Sequence, residues 1–260
     1  NGFPTAGTIN SVTETNHGQA VYAASGFSVP TTTFFGWVAV GDNEAAKSTI
    51  MAGSDLFTGS PLADLLRGYG GNDTINAGEG ANYIRGDDGD DLLTGGSGFD
   101  DINGNMGNDT VSTGGGDDYA VGGKDNDNLS ARAGNDVVWG NLGADTQNGG
   151  DGNDQVRGGQ GDDTITGGAG NDYVSGDRGN DTIAGGTGAD LFHGSQDAGI
   201  DRVIDFNLAE GDRVMLDPGT TYTLKQVGAD AVLDMGGVHQ MILVGVPMSS
   251  LLGAGTIFIG

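Results

Sequence analysis

This chain of 260 residues predicts an all-β solenoid, a stack of short strands coiled one above another. Three observations carry the prediction. Residues 68–193 repeat every nine residues without a break, giving fourteen tandem units. The sixth position is Asp in every unit but one, where Asn82 stands, and the fourth is Gly in every unit but one, where Asp125 stands. The eighth position is apolar throughout except at Gln147. A short fixed period of this kind is the mark of units that bury their apolar side only by stacking on neighbours.

The unit explains itself residue by residue. Well-formed copies read Gly158-Gly159-Gln160-Gly161-Asp162-Asp163-Thr164-Ile165-Thr166 and Gly167-Gly168-Ala169-Gly170-Asn171-Asp172-Tyr173-Val174-Ser175. Glycines at positions one, two and four are expected to take backbone angles closed to other residues. The tight turn they form aims carbonyl oxygens inward, and the sixth-position Asp adds a carboxylate. Positions seven to nine are expected as a short strand with position eight facing in. That inward row runs Ile75, Ile84, Leu93, Ile102, Val111, Ala120, Leu129, Val138, Gln147, Val156, Ile165, Val174, Ile183, Phe192.

The flanks differ from the repeat, as caps of a solenoid must. Residues 1–58 are expected as a small α/β cap, with a strand at 21–29 around Phe27. Thr33 caps a short helix over 34–38, and Asp42 or Asn43 caps a second over 44–52, ended by Gly53. Residues 59–67 read as a degenerate unit leading into a roll that spans 59–193. Beyond it, 201–206 and 212–216 read as strands joined by a turn at Gly211. Segments 222–227, 231–235 and 239–244 continue an antiparallel pattern in a C-terminal cap over 194–260.

Composition narrows the chemistry. There are 36 acidic and 10 basic residues, a formal charge of −26, and 53 glycines. Such a chain repels the phosphates of nucleic acid. It would read as disordered unless something neutralised the evenly spaced Asp residues. Carboxylate and carbonyl oxygens are the ligands of a hard cation such as Ca²⁺, which takes six to eight of them. One turn cannot supply that many, so ions are expected between neighbouring coils. One aliphatic side chain buried per nine ordered residues is little to fold on. Metal binding then becomes folding free energy, and the chain is expected to be unfolded without Ca²⁺.

Other classes find less support. No cysteine is present, so disulfides and thiolate metal sites are excluded. Glycine, Pro247 and serines interrupt 241–260, and terminal strands are expected there rather than a transmembrane segment. Asn1 is followed by no basic-then-apolar leader, so the numbering is expected to begin inside a longer chain. His17, His193 and His239 lie far apart, with neither a His-Glu-x-x-His nor a Gly-x-Ser-x-Gly motif, so no enzyme is expected. Paired acids such as Asp90-Asp91 and Asp162-Asp163 fall in the repeat and read as ligands or solvated turns.

These units resemble those of the RTX family, the hemolysin-type repeat proteins exported by bacterial type I secretion. The likeness extends less specifically to Leu56-Phe57-Thr58-Gly59-Ser60 and to 201–216. It implies a parallel β-roll with two nonapeptides per turn and Ca²⁺ in two rows along its edges. The implied carboxylate ligands are Asp73, Asp91, Asp100, Asp109, Asp118, Asp127, Asp136, Asp145, Asp154, Asp163, Asp172, Asp181 and Asp190. The fourth-position glycines Gly71, Gly89, Gly107, Gly134, Gly152, Gly161, Gly170, Gly179 and Gly188 complete the candidate metal set. Stacking two units apart leaves up to about twelve gaps for ions, and those touching Asn82 and Asp125 are expected to be weak or empty. The resemblance further implies a chain that threads the type I secretion apparatus unfolded and folds in extracellular Ca²⁺. The expected role is structural or adhesive, at the cell surface or in a matrix. The alternative is the secretion and folding module of a larger RTX enzyme or toxin. A C-terminal secretion signal is expected near 256–260, which lacks the acidic residue of some relatives.

Alternate units in opposite sheets would give two outer faces. Odd units present Thr74, Thr94, Thr110, Ser112, Thr146, Thr164, Thr166 and Thr182, ordinary exposed strand residues. Even units present Tyr83, Arg85, Tyr119, Val121, Val137, Trp139, Arg157, Tyr173 and Leu191, more apolar than a solvated face. Two readings of this second face stand open. Phe34, Phe35 and Trp37 or the C-terminal strands cover it, or Tyr83, Tyr119, Trp139 and Tyr173 meet a second copy or a glycan.

Overall fold

The computed structural model describes residues 8–16, 19–30, 52–196, 199–252 and 255–259. Two strands come first, β1 (Thr8–Asn16) and β2 (Gln19–Pro30). The coil strands follow as β3 (Leu56–Thr58), β4 (Leu65–Gly70), β5 (Thr74–Glu79), β6 (Asn82–Asp88), β7 (Leu92–Ser97), β8 (Asp100–Met106), β9 (Thr110–Gly115) and β10 (Tyr119–Lys124). They continue as β11 (Asn128–Ala133), β12 (Val137–Leu142), β13 (Thr146–Asp151), β14 (Gln155–Gln160), β15 (Thr164–Ala169), β16 (Tyr173–Arg178), β17 (Thr182–Thr187) and β18 (Leu191–Gly194). The end holds β19 (Ile200–Val203), β20 (Arg213–Leu216), β21 (Thr223–Val227), β22 (Asp230–Gly236), β23 (His239–Leu243) and β24 (Ile257–Ile259). Among the described residues the only helical element is a 3₁₀ turn at Met248–Ser250. The strand expected at 21–29 lies within β2. The helices expected at 34–38 and 44–52, and the aromatic residues of the first, lie outside the described residues apart from Ala52.

The coils form a parallel solenoid of about nine turns. Odd-numbered strands from β3 to β19 stack in one sheet and even-numbered strands from β4 to β20 in the other. Alternate units therefore do occupy opposite sheets. From β3 to β16 each strand pairs with the one 18 residues on, as in Thr164↔Thr182 and Ile165↔Ile183. Strands run from position seven into position three of the next unit, longer than the expected three residues. Pairing passes over position one and resumes at position two, for example Val121↔Trp139 and then Gly123↔Asn141. The eighth-position side chains meet between the sheets, each no more than 1% exposed. Gln147 is as buried as its apolar neighbours, and its Nε2 donates to the Arg157 carbonyl at 2.7 Å.

The C-terminal region departs from expectation. β19 and β20 are not a hairpin. β19 lies parallel between β17 and β23, and β20 parallel between β18 and β24. The reason is chemical: Asp201-Arg202-Val203 and Asp212-Arg213-Val214 repeat positions six to eight, and Val203 and Val214 are fully buried in the core. β21, β22 and β23 are the expected antiparallel strands, and they extend the odd-strand sheet. They therefore do not cover the face of the even-strand sheet, where Tyr83, Tyr119 and Trp139 are 46%, 43% and 37% exposed.

Candidate metal centre

The sixth-position Asp residues line up in two ladders at the turns between sheets. One holds Asp73, Asp91, Asp109, Asp127, Asp145, Asp163 and Asp181; the other holds Asn82, Asp100, Asp118, Asp136, Asp154, Asp172 and Asp190. Every one is buried, at most 3% exposed. Within a ladder, Oδ1 of each Asp accepts the backbone N–H of the residue 18 positions earlier, as in Asp145 N–H to Asp163 Oδ1 and Asp136 N–H to Asp154 Oδ1, both 2.8 Å. The other oxygen, Oδ2, is buried without a hydrogen-bond partner in all thirteen. An orphaned carboxylate oxygen is costly, and one repeated in register at coil after coil asks for a common explanation.

The glycines surround that oxygen for two distinct reasons. Those at position four, and those at position two apart from Gly96, fall in the left-handed region. Gly71, Gly89, Gly107, Gly134, Gly152, Gly161, Gly170, Gly179 and Gly188 have φ between 107° and 149°. Position one is different, and the expected angular role does not hold there: its glycines have no positive φ. What they provide is close approach. A Cβ on Gly158 would collide with Asp163 Oδ2 and sit 2.7 Å from the Gly176 carbonyl; Gly149 and Gly167 repeat the pattern. Beside Asp73, Asp91, Asp100, Asp145, Asp154, Asp163 and Asp172 the space next to Oδ2 is thus bordered by a carbonyl oxygen of the next coil. Among the described residues no three His, Asp or Glu side chains converge. Single carboxylates and backbone carbonyls are the donor set, which suits a hard cation and no soft one.

Electrostatics point the same way. Burial, with repulsion from neighbouring carboxylates behind it, pushes Asp127 and Asp163 up to about 8. It takes Asp73, Asp109, Asp136 and Asp172 to about 7, and Asp91, Asp100 and Asp190 to about 6. Asp118, Asp145, Asp154 and Asp181 also rise, through burial first. A positive charge beside Oδ2 is what would reverse these shifts. Asp90 and Asp117, exposed at position five, behave oppositely: the Asn108 and Asn135 backbone N–H groups lower them.

Two interruptions have visible consequences. Asn82 keeps the ladder bond, its Oδ1 accepting the Asp64 N–H at 3.0 Å. Its Nδ2 donates to Asp100 Oδ1 at 2.8 Å and to the Gly80 carbonyl at 3.2 Å, so a donor stands where other units leave a bare oxygen. Asp125 takes the left-handed turn at φ 74° despite its side chain.

The ladders also reach residues outside the predicted set. Asp55 and Asp64 precede them, and Asp201 and Asp212 follow. Asp55 and Asp64 keep the nine-residue phase, which was readable. The last two are displaced, 20 and 22 residues after Asp181 and Asp190, and only the doubled Asp-Arg-Val marked them. At Asp64 and Asp212 the second oxygen accepts Ser60 N–H at 2.6 Å and Asn207 N–H at 2.8 Å, which closes that ladder at both ends.

Six stretches, 51–84, 58–93, 85–120, 112–147, 148–183 and 175–200, match the profile of the RTX calcium-binding nonapeptide repeat. Together they run unbroken over more than half of the chain. No curated protein matches it. Among solved structures, the extracellular lipase LipA from Serratia marcescens is 19% identical over 68% of this chain and 39% of its own, at a TM-score of 0.29. The chain thus spans well under half of that lipase's length. On its repeats, the chain belongs to the family of RTX calcium-binding nonapeptide proteins.

Proposed function

We propose that this is a secreted RTX protein that folds on Ca²⁺ outside the cell and serves a non-catalytic, structural or adhesive role at a surface or in a matrix. The observation that carries the reading is the pair of ladders whose thirteen Oδ2 atoms are buried and unpartnered. The sixth-position carboxylates, with carbonyls of the glycine turns, would hold the ions, up to about twelve between stacked coils. Bound Ca²⁺ supplies the charge that the ladders lack. The residues do the rest: Oδ1 ties each coil to the one before it, and the glycines keep Cβ atoms out of the gaps. Cytosolic Ca²⁺ is too scarce to close such sites, so the chain stays threadable for type I export. The test is a Ca²⁺ titration read by circular dichroism and light scattering together. Strand signal rising near millimolar Ca²⁺ with growth in particle size is expected. Folding to a monomer that never associates would favour the alternative of a folding module within a larger protein. A roll already formed in excess chelator at about pH 8, where the ladder carboxyls are ionised, would overturn the calcium switch.

A further inference from the structure

The outer face of the even-strand sheet is not uniform. Toward its C-terminal end it opens into a groove of about 520 Å³, joined to a second hollow of about 290 Å³ that shares Asn141, Arg157, Gly159 and Asp177. The larger volume falls where small-molecule sites lie. The groove has a sequence cause. Positions Asn141, Gly159 and Asp177 stand in register on β12, β14 and β16, and the middle one has no side chain. A Cβ at Gly159 would meet the Asn141 backbone, so the gap is fixed by the fold.

We infer that this groove is a binding site for a neutral oligosaccharide, held by Asn141, Arg157, Gln160, Asp177 and Asp217 with Trp139 as a stacking platform. The proposal deepens the surface role proposed above and rests on it in requiring the Ca²⁺-folded roll. Three features select the ligand. The walls carry planar amide, guanidinium and carboxylate groups, which donate and accept in pairs, as the adjacent hydroxyls of a sugar require. Trp139, 37% exposed, offers the flat ring on which the C–H face of a pyranose packs. Charge in the groove is balanced: Arg157 is paired with Asp177 at 3.0 Å, and Arg178 and Asp217 stand beside them. A polyanion would meet neither free cations nor a favourable field from a chain of charge −26. The groove crosses the strands from β12 to Asp217 just beyond β20, which suits an extended chain ligand.

The same wall holds a row that resembles a hydrolytic triad but is built for bracing. Ser175 Oγ lies 3.1 Å from His193 Nδ1, and His193 Nε2 lies 3.0 Å from Asp217 Oδ1. Ser175 is fully buried, and its hydroxyl donates to Asp177 Oδ1 at 2.7 Å. It presents no nucleophile to the groove, and instead fixes Asp177 and, through His193, Asp217.

The test uses the full chain in Ca²⁺, with neutral β-1,4-, β-1,3- and α-1,4-linked glucose hexasaccharides as probes and polygalacturonate as the charged comparison. Binding is read by calorimetry, and circular dichroism of each sample reports the roll. We expect at least one hexasaccharide to bind, with Trp139→Ala weakening it about three- to tenfold and Gln160→Ala weakening it in the same direction. Both side chains are exposed, so the variants keep the roll. A folded roll that binds no hexasaccharide, binds unchanged in both variants, or prefers polygalacturonate overturns the inference and leaves the calcium reading standing. A chain that fails to fold in Ca²⁺ overturns the calcium reading, and this inference with it.

Discussion

At Asn82 the difference between a ligand and a lock comes down to one amide nitrogen. The Nδ2 that donates to Asp100 and to the Gly80 carbonyl occupies the corner where other units present a bare Oδ2. Asn82→Asp should replace that donor with an acceptor, lower the Ca²⁺ midpoint of folding and raise the bound stoichiometry, both measurable by equilibrium dialysis beside circular dichroism. An unchanged stoichiometry would mean that the corner is closed for another reason. Position one makes a second residue-scale case. Its glycine is required by space rather than by angle, so Gly158→Ala must push Asp163 Oδ2 or the Gly176 carbonyl aside. Overpacking of that kind costs about 1–3 kcal/mol, and Ca²⁺-saturated thermal unfolding should show it. An alanine tolerated at wild-type stability would show the gap to be wider than it stands here. Ala77 and Ala131 occur naturally at this position, so neighbouring coils can adjust where the sequence allows it.

At the scale of strands and ladders, nearly all of the coil architecture was legible because one short period writes it repeatedly. Position eight packs between the sheets, and position six faces its counterpart 18 residues away. What was not legible lay where the period slips. Asp201 and Asp212 sit in the ladders at spacings of 20 and 22 residues, so a reading in phase lost them and took their strands for a hairpin. The angular and spatial roles of glycine also look alike in sequence. The ladders make a prediction about pH. In the calcium-free roll burial raises their sixth-position carboxyls, Asp73, Asp91, Asp127 and Asp163 among them from 3.8 to about 6–8. The folded state therefore binds protons more tightly than the unfolded chain does. That contribution to stability is full below about pH 4 and is lost as pH rises through 6–8. Calcium requires the deprotonated form and works against the proton. The Ca²⁺ midpoint should therefore rise several-fold from pH 8 to pH 6, while strand signal in chelator should grow on acidification. A midpoint flat across that range would place the ligands elsewhere.

Across the whole molecule, two accounts of calcium dependence compete, and their scales of action separate them. A charge of −26 on 260 residues opposes compaction by diffuse repulsion, which any electrolyte relieves. The ladders oppose it locally, through buried oxygens that lack a partner. Monovalent salt near 1 M shortens the screening length to about 3 Å. That is ample for fifth-position acids in solvent, such as Asp90 and Asp117. It does little for an oxygen sealed between coils, because screening acts through water and the ladders exclude it. If repulsion were the barrier, 1 M NaCl in excess chelator would fold the chain as well as Ca²⁺ does. If ligation is the barrier, the chain should stay unfolded in that salt and fold on adding millimolar Ca²⁺, with the salt shifting the midpoint only modestly. Mg²⁺ sharpens the comparison. It carries the same charge but demands near-octahedral geometry and sheds water reluctantly, so it should screen like Ca²⁺ yet fold the chain poorly. Circular dichroism of one preparation in NaCl, Mg²⁺ and Ca²⁺ decides the matter. Equal strand signal in all three would make the ladders a consequence of folding rather than its condition.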